Sequence, residues 1–322
     1  MRILIPQVNR YASIGLIKML RNVRELDIEI FGCDPIRFGE AAGTLLVDRF
    51  IQSPPLVEEG TPIGWLEGVC SNHAIDLVIP FMGKEIWDLT SSDFVLPSKV
   101  VLPSRDVVEI FFDKAQENEA ILNLGIRTPP LVNDFFNGPR DVIIRKKHSV
   151  GSKGILFLDL DKDQMIPNWF HNNAFAQERI HGAEYTVDVF CNADGDPLIV
   201  LPRRRMSIRE GVSITCQLEN NAELIAAVDK IYEAFKIPGF SCTQFIVSEG
   251  APYFIELNPR IGGTAIAGAI GSFNYMSLFL RHFVLGEKLE AREHYMRQVV
   301  WGSIVTRYYE EVVYSSGKSK VQ

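Results

Sequence analysis

The run Phe254-Ile255-Glu256-Leu257-Asn258 is followed by Pro259, Arg260 and then Ile261-Gly262-Gly263-Thr264. On an extended backbone side chains alternate between faces, so Glu256 and Asn258 share one. A carboxylate and an amide oxygen side by side make a donor set for a hard cation such as magnesium. The ring of Pro259 removes the N–H that a central ladder needs and ends the strand. Arg260 then stands within reach of a phosphate held by that cation. Gln244, in the preceding strand-like segment, adds an oxygen for the same ion. A half-buried strand running into a turn accounts for these letters equally well when they are taken alone.

Other residues carry compatible chemistry. Lys114 follows Asp113 at a helical position from which an ammonium reaches a phosphate oxygen. Arg145 lies among Val142, Ile143 and Ile144, where a charge is costly without a partner. The loop Ser149 to Gly154 offers backbone N–H groups, the hydroxyls of Ser149 and Ser152, the Lys153 ammonium and the small Gly154. Such loops cradle phosphates, although the GxxxxGK[ST] pattern is absent here. Gln177-Glu178-Arg179-Ile180 reads as a strand edge suited to an adenine ring, and Glu184 as an acceptor for ribose hydroxyls. Asp188 reads as a buried partner for a basic residue. Arg203 and Arg205 share a face of an extended run. Lys84 and Glu85 follow a strand ending at Pro80, where doubly wound sheets place ligands. Glu85, His148, Arg203 and Arg205 are thus candidates to face a substrate acid or amine. Ordinary solvated charge explains each of these singly.

The elements that must position them follow from periodicity. Arg2 to Ile5, Ile14 to Leu20 and Ile28 to Gly32 give strand, helix, strand, the order of a parallel βαβ unit. Val47 to Gln52 and Asp76 to Pro80 read as further strands, with a helix over Ile63 to Ser71. The turn after the first strand is Pro6-Gln7-Val8-Asn9-Arg10, with no glycine before Gly15, which excludes a GxGxxG dehydrogenase. One helical segment is expected from Ser104 through Asp113 to Leu124, stopped by Gly125. A hairpin pairs Asp141 to Lys147 with Ile155 to Leu158. Strands are expected at Phe175 to Ile180, Tyr185 to Cys191 and Leu198 to Pro202. An amphipathic helix over Ala222 to Phe235, a hairpin of Phe240 to Val247 with Tyr253 to Asn258, and a helix over Tyr275 to Leu285 complete the reading.

Bulk properties narrow the function. The 322 residues call for two or three packed units. A content of 47% hydrophobic and 23% charged residues excludes a disordered chain. A net charge of -7 removes the global basic field that nucleic acid would require. No apolar run is long enough to span a bilayer. The five cysteines are scattered singly with no CxxC pair, and the first residues do not form a secretory apolar region, so a cytoplasmic protein is expected.

The order of these signals resembles the ATP-grasp superfamily, nearest to its carbamoyl-phosphate-synthase-like stand-alone group. The similar text is DKAQENEAILNLGIRTPP (113–130), VIIRKKHSVGSKGI (142–155), QERIHGAEYTVDVF (177–190) and FIELNPRIGGT (254–264). The resemblance implies an α/β chain: a doubly wound N-terminal domain over 1–103, then an ATP-grasp domain over 104–322. That domain would comprise an α+β lid subdomain at about 128–177 and a C-terminal antiparallel-sheet subdomain. It implies that Lys114 and Arg145 contact the nucleotide, that Ser149 to Gly154 form the lid loop, and that Glu178 to Ile180, with Arg179 between, border adenine while Glu184 holds the ribose. It implies Gln244, Glu256 and Asn258 as magnesium ligands, with manganese as an alternative, and Arg260 with Arg203 in the catalytic set. The implied chemistry is ATP-dependent phosphorylation of a carboxylate, then capture of the acyl phosphate by an amine. The implied partners are those small molecules and a second copy of the chain as a homodimer. The alternatives are a nucleotide-binding module without catalysis and an enzyme that phosphorylates bicarbonate or carbamate.

Overall fold

The computed structural model describes residues 1–91, 95–135, 138–148, 154–162 and 173–314. Five parallel strands open the chain: β1 (Arg2–Pro6), β2 (Glu29–Asp34), β3 (Arg49–Gln52), β4 (Leu77–Val78) and β5 (Lys99–Val100), in the order β3-β2-β1-β4-β5. Ile3, Leu4 and Ile5 have no exposed surface. Consecutive residues of one strand point to opposite faces, so both faces of this sheet are covered, as crossover helices require. Ile3 and Ile5 pack with Leu16 and Leu20 of the helix Tyr11–Arg21, and Leu4 packs with Leu66 of the helix Ile63–His73.

Two antiparallel sheets follow. The smaller has β6 (Asp141–Lys146), β7 (Ile155–Asp159) and β8 (Ala174–Glu178), in the order β7-β6-β8. The larger has β9 (Ala183–Cys191), β10 (Pro197–Arg209), β11 (Val212–Leu218), β12 (Gly239–Ser248), β13 (Ala251–Asn258) and β14 (Ile304–Thr306). Its order is β13-β12-β9-β10-β11-β14. The helix Ala222–Phe235 closes one face, with Leu224, Val228 and Ile231 against Val187, Val189 and Val200. The other face shares a core with the parallel sheet, because Phe190, Ile199 and Phe279 join the cluster that holds Ile3 and Ile5. Ile79 and Pro80, past the end of β4, therefore line one crevice with Pro259 and Arg260.

The structure departs from the sequence reading in three places that matter. The helix expected from Ser104 to Leu124 breaks at Asp113 into Arg105–Phe112 and Lys114–Asn123. Asp113 is extended (φ -104, ψ 108), and its carboxylate accepts from the N–H groups of Ala115 and Gln116. A capping carboxylate thus restarts the helix at Lys114. Strand β10 continues beyond Pro202 through the arginine run to Arg209, because β11 pairs with it. The helix expected over Tyr275 to Leu285 covers Met276–Phe283.

Candidate active site

Strands β12 and β13 pair antiparallel with Gln244 opposite Glu256. The Gln244 side-chain amide donates to Glu256 Oε1 at 2.6 Å, and the Asn258 amide donates to the same oxygen at 3.0 Å. Arg260 donates to Asn258 Oδ1 at 3.2 Å. The other Glu256 oxygen faces Lys114 Nζ at 3.4 Å and Arg145 Nη2 at 3.8 Å. Burial opposes ionisation of Glu256, but Lys114, Arg145, the Asn258 amide and Arg260 together outweigh it and hold the carboxyl below its usual range. One carboxylate therefore faces three cationic side chains.

That balance decides which cation the site suits. Among the described residues no three His, Cys, Asp or Glu side chains gather to hold a metal ion. The oxygens on hand are one carboxylate and the amides of Gln244 and Asn258, hard donors of low total charge. They fit magnesium, which takes few protein ligands when phosphate oxygens complete its shell. The surplus of positive side chains disfavours a bare divalent ion and favours one that arrives with polyphosphate charge.

Lys114 and Arg145 are held from several sides. The Lys114 N–H donates to the Lys147 carbonyl at 3.0 Å, which joins the start of its helix to the end of β6. Arg145 is nearly buried and donates to the Ile255 carbonyl at 2.9 Å and to Gln177 Oε1 at 3.4 Å. Gln177 in turn donates to Asn118 Oδ1 at 2.9 Å and to the Pro129 carbonyl at 3.0 Å. The partner that an arginine amid Val142, Ile143 and Ile144 demands is thus a small network. Beneath it Glu117 accepts the Leu257 N–H at 2.5 Å, and burial pushes its carboxyl up to about 8 against the pull of Lys114. Sequence reasoning missed Glu117 and Asn118, and read Gln177 only as part of a strand edge. Lys114, Glu117 and Asn118 stand at i, i+3 and i+4 on one helix face, which is the signal that would have grouped them.

The remaining candidates separate. Glu178 and Ile180 are half-buried where β8 hands over to β9, and Arg179 is exposed. Arg179 instead lies over the Phe157 ring at 4.5 Å and faces Asp141 at 3.6 Å. Glu184 accepts from Arg205 at 2.9 Å on the wall of a cavity of about 420 Å³, lined also by Gly182, Arg204, Met206 and Ile208. Arg205 Nε is buried there without a hydrogen-bond partner. His148 is exposed, with Nδ1 3.1 Å from the Phe112 carbonyl. Gly154 takes φ +78, and a Cβ on it would stand 2.7 Å from Lys146 Cδ. Ser149, Ser152 and Lys153 lie outside the described residues.

Two candidates have no open face. Arg203 is fully buried and grips Asp188 with two bonds, at 2.6 and 2.9 Å, while its Nη2 also donates to Thr264 Oγ1 at 2.9 Å. Direct contact with a substrate, expected of a catalytic arginine, gives way here to support of the loop that carries Arg260. Glu85 is also fully buried, and its Oε1 accepts from Gln7 at 2.8 Å and from the Thr61 hydroxyl at 2.8 Å. Burial raises its pKa. It braces the end of β1 against the 57–61 loop and does not face a substrate.

Residues 111–264 match the model of the ATP-grasp domain. The carbamoyl phosphate synthase large chain of Clostridium beijerinckii is 23% identical over 284 residues, 79% of this chain and 25% of that protein. The chain thus spans about a quarter of that relative's length. A D-alanine--D-alanine ligase of Fusobacterium nucleatum is 25% identical over 240 residues, 70% of this chain and 78% of the relative. The biotin carboxylase domain of Hydrogenobacter thermophilus 2-oxoglutarate carboxylase was solved with MgADP and bicarbonate. It superposes with a TM-score of 0.71 at 14% identity, covering 94% of this chain and 73% of that one. The N5-carboxyaminoimidazole synthetase of Staphylococcus aureus, solved with ADP, gives 0.64 at 13% identity, covering 90% of this chain and 78% of that one. The fold is shared across nearly the whole chain, and the Glu256, Asn258 and Arg260 strand end falls inside the span, residues 111–264, that matches the ATP-grasp domain.

Proposed function

We propose that the protein is an ATP- and magnesium-dependent ligase that phosphorylates a carboxylate and joins it to an amine, releasing ADP and phosphate. The observation that supports it is Glu256, flanked by the Gln244 and Asn258 amides and faced by Lys114, Arg145 and Arg260. Gln244, Glu256 and Asn258 would hold magnesium, which when bound offsets charge on the phosphate oxygens. Lys114 and Arg145 bind phosphate oxygens, while Glu178 and Ile180 border the adenine. Glu184 offers its carboxylate to the ribose from the wall of the cavity.

In the reaction an acid oxygen attacks the terminal phosphorus and ADP leaves. Arg260 stabilises the charge on the phosphoryl group during that transfer. The amine then attacks the acyl carbon, the acyl–oxygen bond to phosphate breaks, and the amine proton is released. Bicarbonate as the acid is a second reading, favoured by the carbamoyl phosphate synthase relatives and by the bicarbonate-bound structural neighbour.

Phosphate release from magnesium ATP, screened across carboxylic acids, bicarbonate and amines, tests the proposal, with Glu256→Gln as control. A specific acid–amine pair should stimulate release, and the variant should lower it by about 10²-fold or more. Nucleotide binding with no stimulation by any acid, bicarbonate included, would leave a binding module in place of a ligase.

A further inference from the structure

Strand β13, which carries Glu256 and Asn258, lies at the edge of its sheet, with β12 as its neighbour on one side. Backbone groups on its open side require partners from elsewhere. Two buried side chains supply them around Glu256. Arg145 Nη1 donates to the Ile255 carbonyl at 2.9 Å, and Glu117 Oε1 accepts the Leu257 N–H at 2.5 Å. Arg145 is 5% exposed and Glu117 1%. A donor for the carbonyl before a residue and an acceptor for the N–H after it are what a parallel neighbouring strand provides. At this edge an arginine and a glutamate take the place of that strand.

A peptide group is planar, so a bond to its carbonyl or its N–H holds the whole plane. Arg145 holds the plane that joins Ile255 to Glu256, and Glu117 holds the plane that joins Glu256 to Leu257. The Glu256 Cα stands between these two planes, so the direction of its side chain follows from them. Asn258, one residue beyond Leu257, inherits the same constraint. The helix that carries Glu117 is secured without this bond. The Asp113 carboxylate caps its start, and Ile121 is fully buried in the core that also holds Leu257. Lys114 is tied separately, by its N–H to the Lys147 carbonyl. The Glu117 bond therefore serves the strand end more than the helix.

We propose that Glu117 is a positioning residue for the cation site: by holding the peptide between Glu256 and Leu257 it sets the direction in which Glu256 and Asn258 present their oxygens. The inference rests on the ligase reading for the identity of the ion, magnesium with a nucleotide, but the backbone clamp it asserts exists without either.

Two measurements test it on the full chain, with Glu117→Leu, which removes the acceptor, and Glu117→Gln, which keeps one of equal reach. In the first, hydrogen exchange is followed at the Leu257 amide of the ligand-free protein, with Val189 in the same sheet as reference. Exchange at Leu257 should be about tenfold faster or more in Glu117→Leu and near the wild-type rate in Glu117→Gln, with Val189 unmoved. Equal rates at Leu257 in all three proteins, or equal acceleration at Val189, overturn the clamp. In the second, ADP is titrated calorimetrically over a series of magnesium concentrations and in EDTA. The half-saturating magnesium concentration should rise about tenfold or more in Glu117→Leu. It should stay within about threefold of wild type in Glu117→Gln, and ADP affinity in EDTA should stay within about twofold in both. A parallel fall of ADP affinity in EDTA would make Glu117 merely structural and sink the proposal. If the leucine variant fails to fold, the glutamine variant still decides, because a tenfold rise there shows that an acceptor at this place is not enough. Binding of ADP to the wild type that ignores magnesium removes the ligase reading, while faster Leu257 exchange in Glu117→Leu keeps the clamp.

Discussion

Asp188 on β9 and Glu256 on β13 belong to the same six-stranded sheet, and both face guanidinium groups, yet they are built for opposite ends. Asp188 meets Arg203 in a closed pair at 2.6 and 2.9 Å, with Thr264 taking a further donor. The charge is matched, both groups are buried, and nothing is left to offer a ligand. Glu256 is touched most closely by neutral amides, and its cations stand off at 3.4 and 3.8 Å. There the positive charge exceeds the negative. A matched buried pair is architecture; a mismatched cluster is a receptor for the missing sign.

The largest effect should come from breaking the closed pair. Asp188→Asn leaves Arg203 buried without its counter-charge and should cost about 3–5 kcal/mol in urea unfolding. An unchanged midpoint would mean that the pair is not fully desolvated. Next, Glu256→Gln should lower acid-stimulated phosphate release by about 10²-fold or more while shifting the urea midpoint less than Asp188→Asn does. Equal destabilisation by both variants would erase the contrast between the two carboxylates.

A third test uses pH. Glu117 carries a folded pKa raised to about 8, so between its unfolded value near 4.5 and 8 the unfolded chain binds fewer protons than the folded one. Its contribution to stability is present below pH 4.5 and is lost as pH rises through 8. Glu256, whose folded value is lowered, acts in the opposite direction and only below pH 4.5. Stability of the wild type minus that of Glu117→Gln should therefore fall between pH 5 and 8, and a flat difference would contradict a protonated Glu117. The smallest effect is expected of Gln177→Ala, which cuts the link between Asn118 and Arg145. Loss of about 1 kcal/mol in nucleotide binding, read by titration with MgADP, corresponds to about a fivefold weaker complex.

Much of this arrangement was legible in the letters. Alternation alone puts Glu256 and Asn258 on one face, and the costly charge of Arg145 among aliphatic residues announces a partner. Other features depend on strand register, which a single chain does not display. Leu201 pairs with Asp188, so Arg203 is its diagonal neighbour, and that offset decides which arginine of the run turns inward. The helix break at Asp113 was hidden because good helix formers (Lys114, Ala115, Gln116, Glu117) continue beyond it; the capping chemistry that restarts the helix there is local. Glu85 was misjudged because position after a strand predicts proximity to a cleft, whereas the Gln7 and Thr61 bonds that enclose it come from distant segments.

The bond from the Lys114 N–H to the Lys147 carbonyl has a mechanical consequence. It ties the residue that meets Glu256 to the outgoing end of a strand in the small sheet. A swing of that sheet pulls on this tether, so the ammonium cannot keep its place while the strand departs. Displacement of the small sheet and rearrangement of the charges around Glu256 are then one movement, transmitted through this peptide group and through the Gln177–Asn118 bond.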